Sequence, residues 1–302
     1  MRYTYSSDVK SPQAYVTAMG HDTPPAYTPT LSAASSDGDR DEKQLPNDKM
    51  EDPFSDNQVC IDNPVPEPKI PESGSVKSPS SIFLTGPLKV LGKVKGGGSV
   101  TLMKTIIVTG KTTSSGSMIL NNNIRIEGKV KSSGSITATD HISIGEKVLS
   151  SASVTFRDTV TVGNKLEASG SVILSKHVYI GDKVGTSGSL TCDDDIKIDG
   201  KVTTGGSVIL KNGVDIAGDL KAGGSVSVLG SKWCIVGGNL DSSNSLVVEG
   251  NLHVLGDLTL SGSLIVKPGA KLVVDGKKNI GGKEISEEVT QALGISGWVM
   301  KM

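Results

Sequence analysis

Seven lysines, Lys93, Lys111, Lys129, Lys147, Lys165, Lys183 and Lys201, recur every 18 residues, after which Asp219 and Asn239 end the series. A strict spacing of this kind puts one ammonium group on each unit of a stacked repeat, so the seven form a line. Such a line repels itself, and the chemistry it suits is electrostatic: a linear polyanion or an anionic membrane surface laid along it, bound with counterion release and weakened by salt. The competing reading is a solvated face whose lysines discourage aggregation while their stems cover apolar surface. No aromatic residues are interleaved for base stacking, so specific nucleic-acid recognition is not expected.

Residues that could catalyse or bind metal are sparse. His141 and His177 share a position in the repeat, but Thr159 lies between them, which separates them by about 10 Å, too far to share a metal ion. His253 is isolated. The run Asp193, Asp194, Asp195 has the composition of a Ca²⁺ site, yet Asp194 shares its position with Asn122, Asp140, Asp158 and Asn212, a column that reads as Asx turns. Cys60, Cys192 and Cys234 show no CxxC spacing, so neither a disulfide framework nor a zinc site is suggested, and reduced thiols in a cytosol fit. No catalytic residue, cofactor or metal is expected, and the chain reads as a non-enzyme.

The element that must position these residues is the repeat itself. Serine stands at Ser81, Ser99, Ser117, Ser135, Ser153, Ser171, Ser189, Ser207 and Ser225 at 18-residue spacing, then at Ser245 after a two-residue insertion, then at Ser263. In the unit beginning at Ser135, Ile136 and Ala138 alternate with Thr137, Ile142 and Ile144 alternate with Ser143, and Val148 follows. These are three short strands with period-two patterning, separated by polar turns. One such unit cannot close a core, but stacked units can, each strand pairing in parallel with its counterpart about 4.8 Å away. The fold predicted is all-β: a three-sided parallel β-helix with 18-residue coils. Two inward residues per strand and unequal thirds favour a right-handed coil over the left-handed hexapeptide type.

The predicted interior holds the columns Val100, Met118, Ile136, Val154 and onward, and Leu102, Leu120, Ala138, Phe156 and onward, with Cys192 as a small buried hydrophobe. A narrow aliphatic interior accounts for the 3% aromatic content. Between them runs an outward column, Phe83, Thr101, Ile119, Thr137, Thr155, Ile173, Thr191, Ile209, Ser227, Val247, Ile265. It is flat, β-branched and uncharged, the kind of patch that marks self-association. The Gly-Ser column reads as structural, glycine supplying positive φ at a corner and serine bonding to the turn backbone or the serine above.

Composition divides the chain. Residues 1–80 hold 11 of the 13 prolines and carry net charge −6, residues 81–283 carry +7, and the remainder −2. The first segment, with stretches such as SSDGDRDEKQLPNDKMEDPFSDN, is read as a disordered acidic tail. Within it Pro24, Pro25 and Tyr27 form a PPxY sequence, the polyproline ligand type of a WW domain. Residues 81–276 are assigned to the β-helix and 277–302 to a C-terminal cap. There Ile285, Val289, Ala292 and Leu293 would line one face of a short helix, with Trp298 and Val299 completing the cover. Trp233 falls within the insertion, on an expected bulged corner. No run is long and apolar enough for a membrane span and MRYTYSSDVK lacks a secretory h-region, so a cytoplasmic location is expected, with membrane association under the Lys-column reading.

Over residues 81–276 the short, three-sided coils rich in Gly, Val and Ile, followed and preceded by tails, resemble the bactofilin family. That resemblance implies a right-handed β-helical cytoskeletal scaffold that polymerises without nucleotide by end-to-end stacking, in some members touching membranes. The regular Gly-Ser and Lys columns, the acidic tail and the C-terminal segment depart from the pattern. The expected partners are therefore other copies of the chain, through coil ends or the Thr/Ile face, and a WW-domain protein through the tail. The alternative is a capped monomer that binds an anionic polymer or membrane through the Lys column.

Overall fold

The computed structural model describes residues 70–286 and 300–301. The chain divides into two units, Met1–Pro64, which lies wholly outside the described residues, and Val65–Met302. The second unit is a three-sided parallel β-helix: three sheets, here A, B and C, each contribute one strand per coil over 12 coils, from Glu72–Ser73 to Glu284–Ser286. At about 4.8 Å per coil the strands span about 53 Å.

Register is uniform. In sheet A Ile124 stands over Ile106 and under Ile142, in sheet B Val130 lies between Thr112 and Val148, and in sheet C Ile136 lies between Met118 and Val154. Each coil thus sends six side chains inward, two from each sheet. The set Ile142, Ile144, Val148, Ser150, Val154 and Phe156 is buried throughout. With period-two alternation, the residue between each inward pair must face outward, which places the charged and β-branched columns on the surface. Parallel stacking of identical aliphatics fills the interior with Val, Ile and Leu, and a single large aromatic, Phe156, sits over Ala138.

The boundaries differ from the sequence reading. Strands begin at Glu72 and continue to Ser286, so the β-helix extends beyond residues 81–276 at both ends. Ile285 is not helical: it lies in the strand Glu284–Ser286, paired with Ile265, because the backbone keeps the parallel register of sheet C although Glu284 replaces the inward aliphatic. Val289, Ala292, Leu293, Trp298 and Val299 lie outside the described residues. The two-residue insertion falls in the corner between sheets C and A, where Asp215 pairs with Ile235 at a separation of 20. A second insertion, not read from the sequence, occupies the same corner one coil before the end, where Leu252 pairs with Leu272. Trp233 is the first residue of the strand that follows the first insertion, and its side chain is exposed.

Candidate interaction surfaces

The lysine column stands at the corner between sheets A and B, immediately before each sheet B strand. Backbone bonds fix it one per coil: Val94 N–H donates to the Lys111 carbonyl at 3.1 Å, Val130 to Lys147 at 3.0 Å and Val148 to Lys165 at 2.9 Å. The predicted line of seven is therefore formed by the backbone ladder itself. Only Lys165 among them has an ion-pair partner among the described residues, Glu167 at 2.6 Å. A second set, Lys77, Lys95, Lys131 and Lys221, occupies the neighbouring outward column of sheet B, whose other members between them are Thr113, Leu149, Glu167, Gly185 and Thr203. A shallow groove of about 450 Å³ at this corner is lined by Lys111, Lys129 and Lys147 together with Thr109, Glu127 and Glu146. Gly110 and Gly128 line it as well, and Glu146 takes their column one coil on. The same column reads Ser75 before the lysines and Asp219, Asn239, Asp257 and Lys277 after them. Ser75 Oγ, Asp219 Oδ1, Asn239 Oδ1 and Asp257 Oδ1 each accept the backbone N–H of the residue one coil on, at 3.2, 2.8, 2.8 and 2.8 Å.

The Thr/Ile column is continuous along the outer face of sheet C. Phe83 pairs with Thr101, Thr101 with Ile119, Ile119 with Thr137, Thr137 with Thr155, Thr155 with Ile173, Ile173 with Thr191 and Thr191 with Ile209, and the series ends Val247, Ile265, Ile285. No charge interrupts it. Of the eight exposed large hydrophobics among the described residues, four lie in this column, with Phe83 66% and Ile119 44% exposed.

The Gly-Ser corner, between sheets B and C, is structural for a different reason from the one expected. Positive φ is absent from its glycines. Instead, a Cβ on Gly188 would stand 2.7 Å from Ser171 N, and one on Gly206 2.9 Å from the carbonyl carbon of Gly188, so close approach of successive coils requires glycine. The serine ladder forms as expected: Ser99 N–H donates to Ser81 Oγ at 3.0 Å, and Ser207 N–H to Ser189 Oγ at 3.2 Å. A further column escapes the sequence reading. Ser114, Ser132, Ser150, Thr186, Thr204 and Ser242 are buried inward residues of sheet B. Ser132 Oγ donates to the Gly116 carbonyl at 2.6 Å, Ser150 Oγ to Gly134 at 3.0 Å, and Thr186 Oγ1 to Gly170. Buried hydroxyls thus satisfy the carbonyls of the glycine corner. Their signal is the serine or threonine that recurs two positions after the first residue of most sheet B strands, with Gly96, Ala168, Ala222 and Leu260 among the exceptions.

The positive φ values lie at the corner between sheets C and A, in consecutive pairs such as Asn122–Asn123, Asp140–His141 and Asp158–Thr159. Asn and Asp recur there because their short polar side chains tolerate the left-handed region. His141 bonds to Asp140 at 2.6 Å and His177 faces Asp195 at 3.7 Å. All three carboxylates of the Asp run are taken up by lysines: Asp193 by Lys211 at 3.1 Å, Asp194 and Asp195 by Lys232 at 3.3 and 2.9 Å. Lys232 belongs to the insertion, which reaches back over two coils. Among the described residues no group of three or more His, Cys, Asp or Glu side chains could hold a metal. Cys192 is buried in the expected interior column, and desolvation, with Cys234 nearby, pushes its thiol pKa far up. Cys60 and the Pro24, Pro25, Tyr27 sequence lie outside the described residues.

The two ends differ. In the first coil Val76, Ile82 and Leu84 point inward. In the last coil the inward positions of sheets B and C pass from Leu258 to Lys278 and from Leu264 to Glu284, whose side chains approach to 3.9 Å. The strand Met300–Lys301 pairs antiparallel with Glu284–Ser286. Leu272, Val274 and Ile280 of this coil still pack against the core, and the edge of sheet C is occupied by a strand whose direction cannot continue a parallel stack. No helix among the described residues is long and apolar enough to cross a membrane. Comparison of the chain with protein-family models, with curated proteins and with solved structures finds no match.

Proposed function

We propose that the chain is a non-enzymatic scaffold rod whose copies associate side by side through the outer face of sheet C. The observation that carries this reading is the uncharged column from Phe83 to Ile285, which holds half of the exposed large hydrophobics among the described residues. At about 53 Å long and about 13 Å wide, the face offers about 700 Å² to a partner. The total of about 1,400 Å² lies within the range of stable interfaces. Thr139, Ser175 and Arg157 flank the column and supply the polar rim that such interfaces carry. Coil ends serve this role less well, since Lys278, Glu284 and the antiparallel strand oppose stacking at the C-terminal end. The bactofilin-like reading rests on coil length and pattern, and recruitment of a WW-domain partner rests on Pro24, Pro25 and Tyr27 alone.

Sedimentation velocity of the full chain over a concentration series tests the proposal. The wild type is expected to self-associate, and the triple variant Ile119→Lys, Ile173→Lys, Ile209→Lys to sediment as a monomer with an unchanged melting temperature. A wild type that stays monomeric, or a variant that associates as strongly, refutes it.

A further inference from the structure

The lysine column is costly to the fold. Where the chain places Ser75, Asp219, Asn239 or Asp257 at this corner, the side chain accepts the N–H of the next coil. Lysine has no acceptor, so at seven successive coils that bond is forgone. Like charges are placed one coil apart in addition, about 4.8 Å at the backbone. Hydrogen bonding within the rod does not call for lysine at these seven coils, and an anionic partner laid along the line would relieve its repulsion.

The structure narrows its chemistry. In the first half of the rod Lys93, Lys111, Lys129 and Lys147 stand beside Lys77, Lys95 and Lys131, and none of the seven has an ion-pair partner among the described residues. In the second half Lys165 is paired with Glu167, and the corner column turns to Asp219 and Asp257. Seven lysines of the two columns without an ion-pair partner thus stand in the first half, where the groove lies, against Lys183, Lys201, Lys221 and Lys277 beyond it. The groove runs over three successive coils, which suits an extended chain. It also contains two carboxylates: Glu146, and Glu127, which stands 3.7 Å from Arg125. A chain of bare phosphates would be repelled by both. A chain that alternates anionic groups with hydroxyls satisfies both kinds of lining residue, ammonium groups taking carboxylates and the Glu oxygens accepting hydroxyl protons. No aromatic side chain lines the groove for a base to stack on.

We infer that the corner groove along Lys111, Lys129 and Lys147 is a binding site for an acidic polysaccharide, one that carries a carboxylate on each sugar at a spacing comparable with the coil rise. The site lies away from the sheet C face, so binding and self-association are separable.

Native gel electrophoresis of the full chain in gels cast with polygalacturonate tests this, with neutral dextran, polyphosphate, duplex DNA and phosphatidylserine vesicles as comparison probes. The wild type is expected to be retarded by polygalacturonate, less so as salt rises, and not by dextran. The variant Lys111→Gln, Lys129→Gln, Lys147→Gln should lose affinity about tenfold or more. The variant Lys183→Gln, Lys201→Gln, Lys221→Gln, with the same charge change in the second half, should lose less than about twofold. Replacing Glu127 and Glu146 by Ala should weaken polygalacturonate binding while strengthening polyphosphate binding. The inference is overturned if polygalacturonate is not bound, if both lysine variants lose affinity equally, if the Glu variants bind polygalacturonate more tightly, or if polyphosphate, DNA or vesicles are preferred. Circular dichroism melts of each variant separate loss of binding from loss of fold.

Discussion

Thr112 offers a sharp test of the packing argument. It occupies the aliphatic inward column of sheet B, between Val94 and Val130, and is fully buried. Its Oγ1 is the one buried side-chain polar atom among the described residues with no hydrogen-bond partner. The hydroxyls of Ser114 and Ser132, one inward position on, reach glycine carbonyls, but Thr112 faces only apolar side chains. Leaving a buried hydroxyl unpaired costs about 1–3 kcal/mol, and valine has the same shape, so Thr112→Val should stabilise the rod by that amount without opening a cavity. With a urea m-value of about 2–3 kcal/mol/M for a chain of this size, the midpoint should rise by about 0.3–1.5 M. The mirror variant Val130→Thr transplants the same hydroxyl one coil along and should lower the midpoint by a similar amount, which separates the hydroxyl from any peculiarity of position 112. Equilibrium unfolding followed by circular dichroism reads both. A Thr112→Val protein no more stable than the wild type would refute the reasoning, since it would mean that the hydroxyl is satisfied within the rod.

Two further outcomes follow from the interior. Ala138 and Phe156 stack in one column between Leu120 and Leu174, so Phe156→Leu should cost about 1–3 kcal/mol as a cavity and Ala138→Leu a similar amount as overpacking. The double variant restores an all-leucine column and should cost less than either single change; additive losses in urea unfolding would show that the two do not share space. Burial raises the Cys192 thiol pKa, with Cys234 adding to it, and desolvation also raises that of Cys234. A raised folded pKa gives stability that is complete below the unfolded thiol value and is lost as pH rises above it. The urea midpoint should therefore fall above about pH 9, with a slope of up to about 1.4 kcal/mol per pH unit for each thiol. A Cys192→Ala, Cys234→Ala protein should lack that slope, and an unchanged slope would assign it elsewhere.

The fold is legible in the sequence because a solenoid repeats its register: residue types that recur at a spacing of 18 are the ones that stack. Val100, Met118 and Ile136, or Thr101, Ile119 and Thr137, need only the period and the alternation of a strand to be placed inside or outside. The period does not say why a residue recurs. Glycine at Gly188 and Gly206 suggests backbone freedom, whereas the neighbouring coil stands too near for a Cβ; the left-handed corner is carried by Asn122, Asp140 and Asp158 instead. One composition signal, small or Asx residues at a corner, has two physical causes, and only backbone geometry separates them.

Where the repeat ends, periodicity loses its force, since a column has no further member with which to be compared. Lys278 and Glu284 break the aliphatic columns of Leu258 and Leu264. Read as sequence, such a break marks the point where the β-helix stops, and a helical cap from residue 277 is the natural expectation. In the structure the same residues are the last coil: its backbone still pairs in parallel with the coil before it, with Lys278 and Glu284 at two inward positions and Leu272, Val274 and Ile280 still packed against the core. Backbone pairing needs no particular side chain, so a coil can persist after its pattern has gone. The candidate surfaces follow the opposite rule. The lysine column is visible because it is periodic, yet its meaning depends on Asp219, Asn239 and Asp257, the positions where the pattern fails and the side chain folds back onto the next coil. Those exceptions show what the corner favours when only the fold is being served.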